Sequence, residues 1–205
     1  MSDPFHKSGP APDHPSPAPM ARTPDQVLGP FYPFMHEPSC GGDLTALPGR
    51  KHQAQGQIIH VMGRVSDRYG TPVRDAKLII WQANAFGRYS HPNDLSEAPL
   101  DPNFEGFGVI CTDDDGRYHL KTIKPGGYLA GPSILRPPHI HFEVFGRRER
   151  LITQMYFAEE PHNATDRFLQ SATRPDALIT MLEPPTPNME PGAMRAVFNI
   201  VLSNG

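Results

Sequence analysis

The sequence predicts an all-β fold: a single β-sandwich domain with long loops and one short helix in its C-terminal part. Short apolar runs alternate with polar residues, and turn signals separate them. Proline is also unusually frequent, at 25 of 205 residues. Because proline fixes φ and lacks an amide donor, it interrupts helices and suits long connections. A chain of this length supports one domain with a hydrophobic core.

The N-terminal segment is predicted to be an extended, Pro-rich arm. Residues 1–23 contain six prolines and show almost no hydrophobic periodicity. We therefore expect the β-sandwich domain to occupy residues 24–205 and the arm to be free to lie against a partner subunit. The start of the domain, TPDQVLGPFYPFMH at residues 23–36, is expected to pack against the core without forming a strand.

The β pattern begins near Gln57 and continues to the end of the chain. The Asp-Gly turn at 115–116 between two alternating runs is a strong hairpin signal. The one helix is expected at Arg174–Leu182, because Pro175 suits a first turn and Asp176 would face the positive end of the helix dipole. The predicted strands are Ile58–Asp67, Ala76–Ala83, Gly108–Thr112, Arg117–Ile123, Ile140–Phe145, Leu151–Phe157 and Arg195–Leu202.

Charge and cysteine content exclude several functional classes. The net charge is -3 and no block of Lys or Arg stands out, so neither nucleic acid nor an anionic membrane surface is an expected partner. No apolar run approaches the roughly 18 residues that a membrane-spanning helix needs. The two cysteines, Cys40 and Cys111, form neither a CxxC pair nor a disulfide framework. A cytoplasmic protein is expected.

The sequence HIHFE at residues 139–143 is a candidate metal-binding motif. On a strand, His139 and His141 point to the same face, so both imidazoles can bind one cation. The pair alone is equally compatible with imidazoles in solvent or with a histidine that satisfies a buried carbonyl. Glu143 continues the same face, which leaves open a zinc or iron(II) site made of two histidines and a carboxylate.

Two tyrosines add to this motif. Tyr89 and Tyr128 each follow a glycine-containing turn at the end of a strand, in FGRY and KPGGY. A single tyrosine in such a place is usually a packed aromatic residue whose hydroxyl meets water. Two of them together with the histidine pair in one small β domain favour a metal site.

Six segments, in order along the chain, resemble the intradiol ring-cleavage dioxygenases. The resemblance is closest to the catalytic, beta-type subunits of the protocatechuate 3,4-dioxygenases, and it covers most of the chain beyond the Pro-rich arm. The segments are GRVSDRYGTPVRDA (Gly63–Ala76), WQANAFGRYSH (Trp81–His91), LDPNFEGFG (Leu100–Gly108), TDDDGRYHLKTIKPGGY (Thr112–Tyr128), RPPHIHFEVFG (Arg136–Gly146) and LITQMYF (Leu151–Phe157).

The resemblance implies one ferric ion, Fe(III), per catalytic chain. Its ligands would be Tyr89, Tyr128, His139 and His141, with Tyr128 in the axial position. A hard, highly charged ion favours anionic oxygen donors and promotes ionisation of a phenol. The substrates would be a catechol-type ring and O2, and the ring would open between its two hydroxyl-bearing carbons to a cis,cis-muconate.

The resemblance also implies catalytic roles for Tyr128 and for two further residues. Tyr128 would leave the metal and accept a proton from the substrate. Arg136 would stabilise developing negative charge through its planar donor fork. Gln154 matches a glutamine that lies near this arginine in the family.

Two departures from the family leave the substrate open. Protocatechuate enzymes have a tryptophan shortly after the axial tyrosine, whereas Leu129, Ala130 and Gly131 follow Tyr128 here. The stretch from Tyr128 to Arg136 is also shorter than the family pattern. Both changes fall where a ring substituent would lie, so hydroxyquinol is an alternative substrate.

Assembly and fold analogy leave further alternatives. Protocatechuate enzymes pair a ligand-bearing subunit with a related subunit that lacks ligands, so we expect either such a partner or a homo-oligomer. A different class is also conceivable, because Gly63–Leu120 resembles non-catalytic, transthyretin-like β-sandwich binding modules. That resemblance leaves Tyr89, Tyr128 and the histidine pair unexplained.

Overall fold

A computed structural model describes residues 18–33, 41–131 and 134–205. Within these ranges the chain forms short strands, one short α-helix and two 3-10 turns at Pro161–Ala164 and Pro175–Leu178. The strands and the helix are β1 (Ile58–Ser66), β2 (Lys77–Gln82), β3 (Phe107–Cys111), β4 (Arg117–Ile123), β5 (Tyr128–Gly131), β6 (Ile134–Arg136), β7 (His139–Phe145), β8 (Arg150–Phe157), α1 (Arg167–Gln170), β9 (Ile179–Thr180), β10 (Met194–Val197) and β11 (Ile200–Val201).

The strands form two main sheets. In the first, β1 pairs antiparallel with β4 on one side and parallel with β10 and then β11 on the other. The second has the order β3-β2-β7-β8-β9, so β7 lies at its centre. Strands β5 and β6 pair with each other as a separate hairpin.

The hydrophobic core lies between the two sheets. Val61 and Leu120 from the first sheet and Phe142 and Val144 from the second are fully buried in one cluster. The ring of Phe142 lies 5.3 Å from that of Phe198, which follows β10, and so joins the second sheet to the first. Because each inward-facing residue alternates with an outward-facing one, this packing fixes the register of every strand.

Strand β7 is buried on both faces along almost its whole length. Its apolar residues Ile140, Phe142 and Val144 face the core. By the two-residue alternation of a strand, His139, His141 and Glu143 point to the opposite face. That face is covered by residues 24–32, so three polar side chains are held away from water.

The all-β class and the short helix agree with the prediction, but the position of the helix does not. The seven predicted strands correspond to β1 to β4, β7, β8 and the pair β10 and β11. Arg174–Leu182 is not an α-helix: Pro175–Leu178 forms a 3-10 turn that leads directly into β9. The α-helix lies earlier, at Arg167–Gln170, where the Asp166 carboxylate accepts hydrogen bonds from the first amide groups.

Most of the predicted N-terminal arm lies outside the described residues, which begin at residue 18. The part of it that is described is tied to the domain, because the amide of Met20 donates to Arg68 and that of Thr23 to Val201. The boundary at residue 23 stays a prediction. Across the described ranges, no helix is long and apolar enough to cross a membrane.

A buried polar bridge links the two sheets beside the start of the loop that follows β2. The Gln82 amide donates to the carbonyl of Ile123 at 3.0 Å and accepts from the Thr122 hydroxyl at 2.8 Å. Both side chains are essentially inaccessible to solvent. Buried polar atoms are costly when their partners are removed, so these bonds restrict where β2 ends.

We predict that Gln82→Leu will lower the free energy of unfolding by about 2–4 kcal/mol, because it leaves the Thr122 hydroxyl and the Ile123 carbonyl unpaired. Thr122→Val removes one of these groups and should cost less. In the double variant the two costs should be less than additive, since the second change removes a group that the first left unpaired. Urea unfolding of the three variants measures these free energies. If the two costs were strictly additive, the hydrogen bond between Gln82 and Thr122 would not contribute to stability.

Candidate metal centre

The structure brings the four predicted ligands together. Their rings form a closed cycle with centroid separations of 4.9 Å from His139 to His141, 6.4 Å to Tyr89, 5.4 Å on to Tyr128 and 5.7 Å back to His139. The histidines come from adjacent positions on one face of β7. Tyr128 begins β5, and Tyr89 lies in the long loop after β2.

Two turns that touch each other place the tyrosines. The side chain of Asn84 accepts hydrogen bonds from the amides of Phe86 and Arg88 at 2.9 and 3.0 Å, which closes the turn before Tyr89. The backbone carbonyl of Asn84 accepts from the amide of Gly126, in the turn before Tyr128. Asn84 therefore couples the two turns, a role that sequence reasoning missed.

Glycine allows this close contact between the turns. Gly87 has φ +80°, and a Cβ there would lie 2.1 Å from the carbonyl oxygen of Gly127. No other residue type fits at that distance. The glycine-containing turns recognised in the sequence are thus the surfaces through which Tyr89 and Tyr128 approach one another.

Three of the four rings carry buried polar atoms without partners. His139 donates from Nδ1 to the carbonyl of Pro137 at 2.7 Å, which leaves a lone pair on Nε2. Among the described residues, Nε2 of His139, Nδ1 of His141 and the hydroxyl oxygen of Tyr89 have no hydrogen-bond partner. Buried polar atoms are rarely left in this state, so the site fits a bound cation.

Electrostatics at the site favour neutral histidines and protonated phenols until a cation is present. Burial, reinforced by the charge of Arg136, lowers the pKa of His139 to about 3. Burial, with the neighbouring His139, also lowers the pKa of His141 well below its usual value. Burial raises the pKa of Tyr89 well above its usual value. The imidazole lone pairs are therefore available at neutral pH, whereas a phenolate here requires a nearby positive charge.

Glu143 does not join this donor set. Its carboxylate is fully buried and accepts hydrogen bonds from the Tyr32 hydroxyl at 2.6 Å and from the Arg150 guanidinium. Within the described ranges, no three His, Cys, Asp or Glu side chains are arranged to hold a metal ion. The arrangement therefore disfavours a site of two histidines and a carboxylate.

Arg136 is buried beside the four rings and held from several sides. Its Nε pairs with the Asp166 carboxylate at 2.6 Å, and its Nη2 donates to Gln154 and to the Tyr156 hydroxyl, both at 2.8 Å. Its guanidinium also stacks on the ring of Phe168 at 4.5 Å. A fixed cation therefore stands next to Tyr128, and its charge counteracts the rise that burial causes in the pKa of that phenol.

Gln154 lies where the resemblance predicts it, in contact with Arg136. It also donates from Nε2 to the carbonyl of Val27 at 2.8 Å. It therefore connects the arginine to the N-terminal segment that covers the site. Sequence reasoning missed Asp166 and Tyr156. Asp166 carried a usable signal, because an aspartate directly before RFLQ is typical of a helix N-cap.

A cavity of about 510 Å³ opens next to the rings, which is enough for a single aromatic ring with substituents. It is lined by Val27, Gly29, Phe31, Tyr128, Arg136 and Arg167 among others. Arg167 was not singled out from the sequence. Its guanidinium stacks on Phe168 at 4.8 Å, and within the described ranges it pairs with no carboxylate.

Comparison with known proteins identifies the family. A family model described as Dioxygenase matches residues 29–204. The protocatechuate 3,4-dioxygenase beta chain of Burkholderia cepacia is 45% identical over 166 residues, which cover 78% of this chain and 70% of that one. The chain belongs to the intradiol ring-cleavage dioxygenase family. The predicted family is confirmed.

Further proteins that are similar to this intradiol dioxygenase are also dioxygenases. The protocatechuate 3,4-dioxygenase alpha chain of Pseudomonas putida is 31% identical over 172 residues, which cover 80% of this chain and 83% of that one. A solved dioxygenase domain of a carbohydrate-binding fusion protein from Streptomyces sp. SirexAA-E superposes with a TM-score of 0.67 at 28% identity, over 90% of this chain and all of that one. A non-catalytic binding module is no longer a competing interpretation.

We predict that Asp166→Ala will destabilise this dioxygenase by about 3–5 kcal/mol, because it leaves the buried charge of Arg136 unpaired and removes the helix cap. Asp166→Asn keeps an oxygen acceptor for the cap but removes the charge, so it should fall between wild type and the alanine variant. Urea unfolding measures both. A free energy for Asp166→Ala within about 0.5 kcal/mol of wild type would show that the ion pair does not hold Arg136.

Proposed function

We propose that this dioxygenase binds one ferric ion through Tyr89, Tyr128, His139 and His141 and opens a substituted catechol between its hydroxyl-bearing carbons. The observation that carries this proposal is the closed cycle of four rings, which includes buried and unpartnered donor atoms. Two phenols and two neutral imidazoles offer an iron(III) ion two anionic and two neutral donors.

When bound, the ferric ion would draw charge from the doubly deprotonated catechol and make a ring carbon reactive toward O2. The residues around it bind and orient the ring. The cavity leads to the face of the site that Tyr128 and Arg136 share. Phe31, whose ring stacks on Tyr89 at 4.5 Å, closes the side toward the N-terminal segment and excludes water there.

Tyr128 supplies the base. Its ring is only partly buried, whereas Tyr89 is 3% exposed, so Tyr128 is the phenol with room to move toward the cavity. Burial raises the pKa of the Tyr128 phenol, so its oxygen would take up and keep a proton from a substrate hydroxyl. The tightly packed Tyr89 would stay in place.

Arg136 supplies charge stabilisation. Because Asp166, Gln154 and Tyr156 fix its Nε and Nη2 atoms, the guanidinium cannot turn away from the cavity that it lines. A preorganised cation costs no reorganisation as negative charge develops on the ring oxygens, which is the condition for a large effect on rate. Gln154 acts by holding this arginine.

We propose protocatechuate, a catechol that carries a carboxylate, as the preferred substrate. The Burkholderia cepacia relative is named for it. The cavity also presents a cation, Arg167, that no carboxylate of the described residues neutralises. Hydroxyquinol is the second candidate, because the sequence after Tyr128 lacks the tryptophan of protocatechuate enzymes and is shorter.

We further propose that the chain works in an oligomer, either with a related subunit or with copies of itself. It resembles proteins named as the alpha and the beta chains of protocatechuate 3,4-dioxygenase. Because it contains all four candidate ligands, it would be the catalytic partner. A cytoplasmic location remains a prediction from the cysteine content and from the lack of a long apolar run in the sequence.

We predict that the iron-replete protein is red-brown from charge transfer between phenolate and iron, and that it consumes O2 with a catechol. Tyr89→Phe should lower the iron content and the colour, since it removes an anionic donor. Arg136→Ala should keep both and lower kcat/KM by about 100- to 1000-fold.

Tyr118→Phe is the matched control for these variants, because Tyr118 is a similarly buried tyrosine of the first sheet, whose hydroxyl donates to the carbonyl of Phe198 after β10. Metal analysis, visible spectra and oxygen uptake distinguish the variants. A colourless iron-loaded protein would contradict the proposed centre, and normal turnover by Arg136→Ala would contradict the role of the arginine.

We predict that Arg167→Gln will lower kcat/KM for 3,4-dihydroxybenzoate by about tenfold, because it removes the cation that faces the carboxylate. The amide of the same acid has nearly the same shape but no charge, so its kcat/KM should change less than about twofold. Arg147→Gln, an exposed arginine outside the cavity lining, is the control. Equal losses for acid and amide would rule out charge recognition and favour hydroxyquinol.

A further inference from the structure

The cavity wall nearest the imidazoles is made by residues 27–32, which we call the wall segment. Its backbone passes close to His141, because a Cβ added to Gly29 would lie 3.3 Å from Cε1 of that histidine. Its Phe31 ring stacks on Tyr89 at 4.5 Å. The position of this segment therefore sets the space between the candidate ligands and the cavity.

The wall segment is fastened differently at its two ends. On its N-terminal side, Gln26 donates from its amide to Ile152, and the Val27 carbonyl accepts from the side chain of Gln154. At its C-terminal end, the Tyr32 hydroxyl donates to Oε2 of Glu143 at 2.6 Å. The wall segment is therefore fastened to β8 at one end and to β7 at the other.

Glu143 is an unusual residue to find in this position. It is the third polar residue on the outward face of β7, two positions after His141, and its side chain is 0% exposed. A buried carboxylate is costly unless its oxygens are paired. One oxygen accepts a hydrogen bond from the Tyr32 hydroxyl, and the other forms an ion pair with the half-exposed Arg150. Neither oxygen is directed to a metal, so the charge has no part in the candidate centre itself.

We propose that Glu143 is a positioning residue, which seats the wall segment on His141 and Tyr89 by accepting the hydrogen bond from Tyr32. The same strand thus carries the imidazoles and the acceptor that locates the wall covering them. A shift of the segment would move Gly29 and Phe31 together, since they lie between the Gln154 and Glu143 attachments. The consequence for substrate binding rests on the proposed function; the seating itself does not.

A single tryptophan reports on this seating. The chain has one tryptophan, Trp81, which is 1% exposed. The Tyr32 ring meets the edge of the indole at a centroid distance of 5.1 Å and an interplanar angle of 85°, and the His141 ring stacks on the indole at 4.7 Å. Tyr32 therefore covers one edge of Trp81, so a shift of Tyr32 should change the exposure of the indole to a quencher. The fluorescence of Trp81 can be measured without any turnover.

The first experiment measures acrylamide quenching of Trp81 fluorescence in the full chain. Tyr32→Phe keeps the ring and removes only the hydroxyl, and Glu143→Gln keeps an acceptor without the charge. We expect the quenching constant to rise about twofold or more for Tyr32→Phe and by less for Glu143→Gln, because the segment opens locally more often. Tyr118→Phe removes a comparable buried phenol bond in a different hydrophobic cluster from that of Trp81 and should leave quenching unchanged.

The double variant tests whether the two residues act through one bond. If they do, Glu143→Gln should add little to quenching once Tyr32→Phe has removed the donor. Full additivity, or quenching by Tyr32→Phe no greater than by Tyr118→Phe, would overturn the proposal. Both results remain readable if a variant is moderately less stable, because quenching is measured on the folded protein well below its Tm.

The second experiment measures KM and kcat of the holoenzyme with 3,4-dihydroxybenzoate. Loss of one hydrogen bond of about 1 kcal/mol should raise KM about fivefold in Tyr32→Phe, while kcat stays within about twofold because no group that contacts the reacting atoms is changed. An unchanged KM would contradict the positioning role. If the unaltered holoenzyme opened no catechol, the proposed function would fail, and the fluorescence result would still decide the seating of the wall.

Discussion

The central constraint on this molecule is that strand β7 is buried on both faces. One face carries the aliphatic and aromatic residues that join the two sheets, and the other carries His139, His141 and Glu143. A slip of one residue would turn the polar face into the core and the apolar face toward the site. The hydrophobic effect that stabilises the sandwich therefore also fixes the positions of the imidazoles.

The neighbours of β7 extend this constraint to the rest of the site. In the pairing with β8, His141 lies opposite Gln154 and His139 opposite Tyr156, which are two of the three residues that hold Arg136. In the pairing with β2, His141 lies opposite Trp81. Strand register thus determines the positions of Arg136, through Gln154 and Tyr156, and of Trp81, which stacks on His141. Only the tyrosines depend on loops, and there Asn84 and the contact between two glycine turns supply the rigidity.

The sequence allowed prediction of whatever depends on local periodicity. Strand alternation alone indicates that His139 and His141 share a face, whereas Tyr89 and Tyr128 could be chosen only through the family resemblance. Contacts between distant segments could not be predicted: the Tyr32 bond to Glu143 spans 111 positions and leaves no local pattern. The helix was misplaced for a related reason. Pro175 and Asp176 satisfy the rules for a helix start, but the chain turns at once into β9, whose pairing with β8 outweighs local propensity.

The ionisable groups around the site are of two kinds: carboxylates whose charge is paired within the structure, and rings whose charge burial opposes. Glu143 and Asp166 are buried carboxylates, and each is matched by an arginine and by further donors, so both are neutralised within the structure. The four rings are the opposite case, because desolvation opposes any charge on them. A fold that pairs both of these carboxylates, yet leaves buried phenol and imidazole atoms without partners, fits the proposed cation at those atoms. The charge of Arg136 counteracts burial but leaves the pKa of both phenols raised, so the proposed cation would supply the positive charge needed to ionise them.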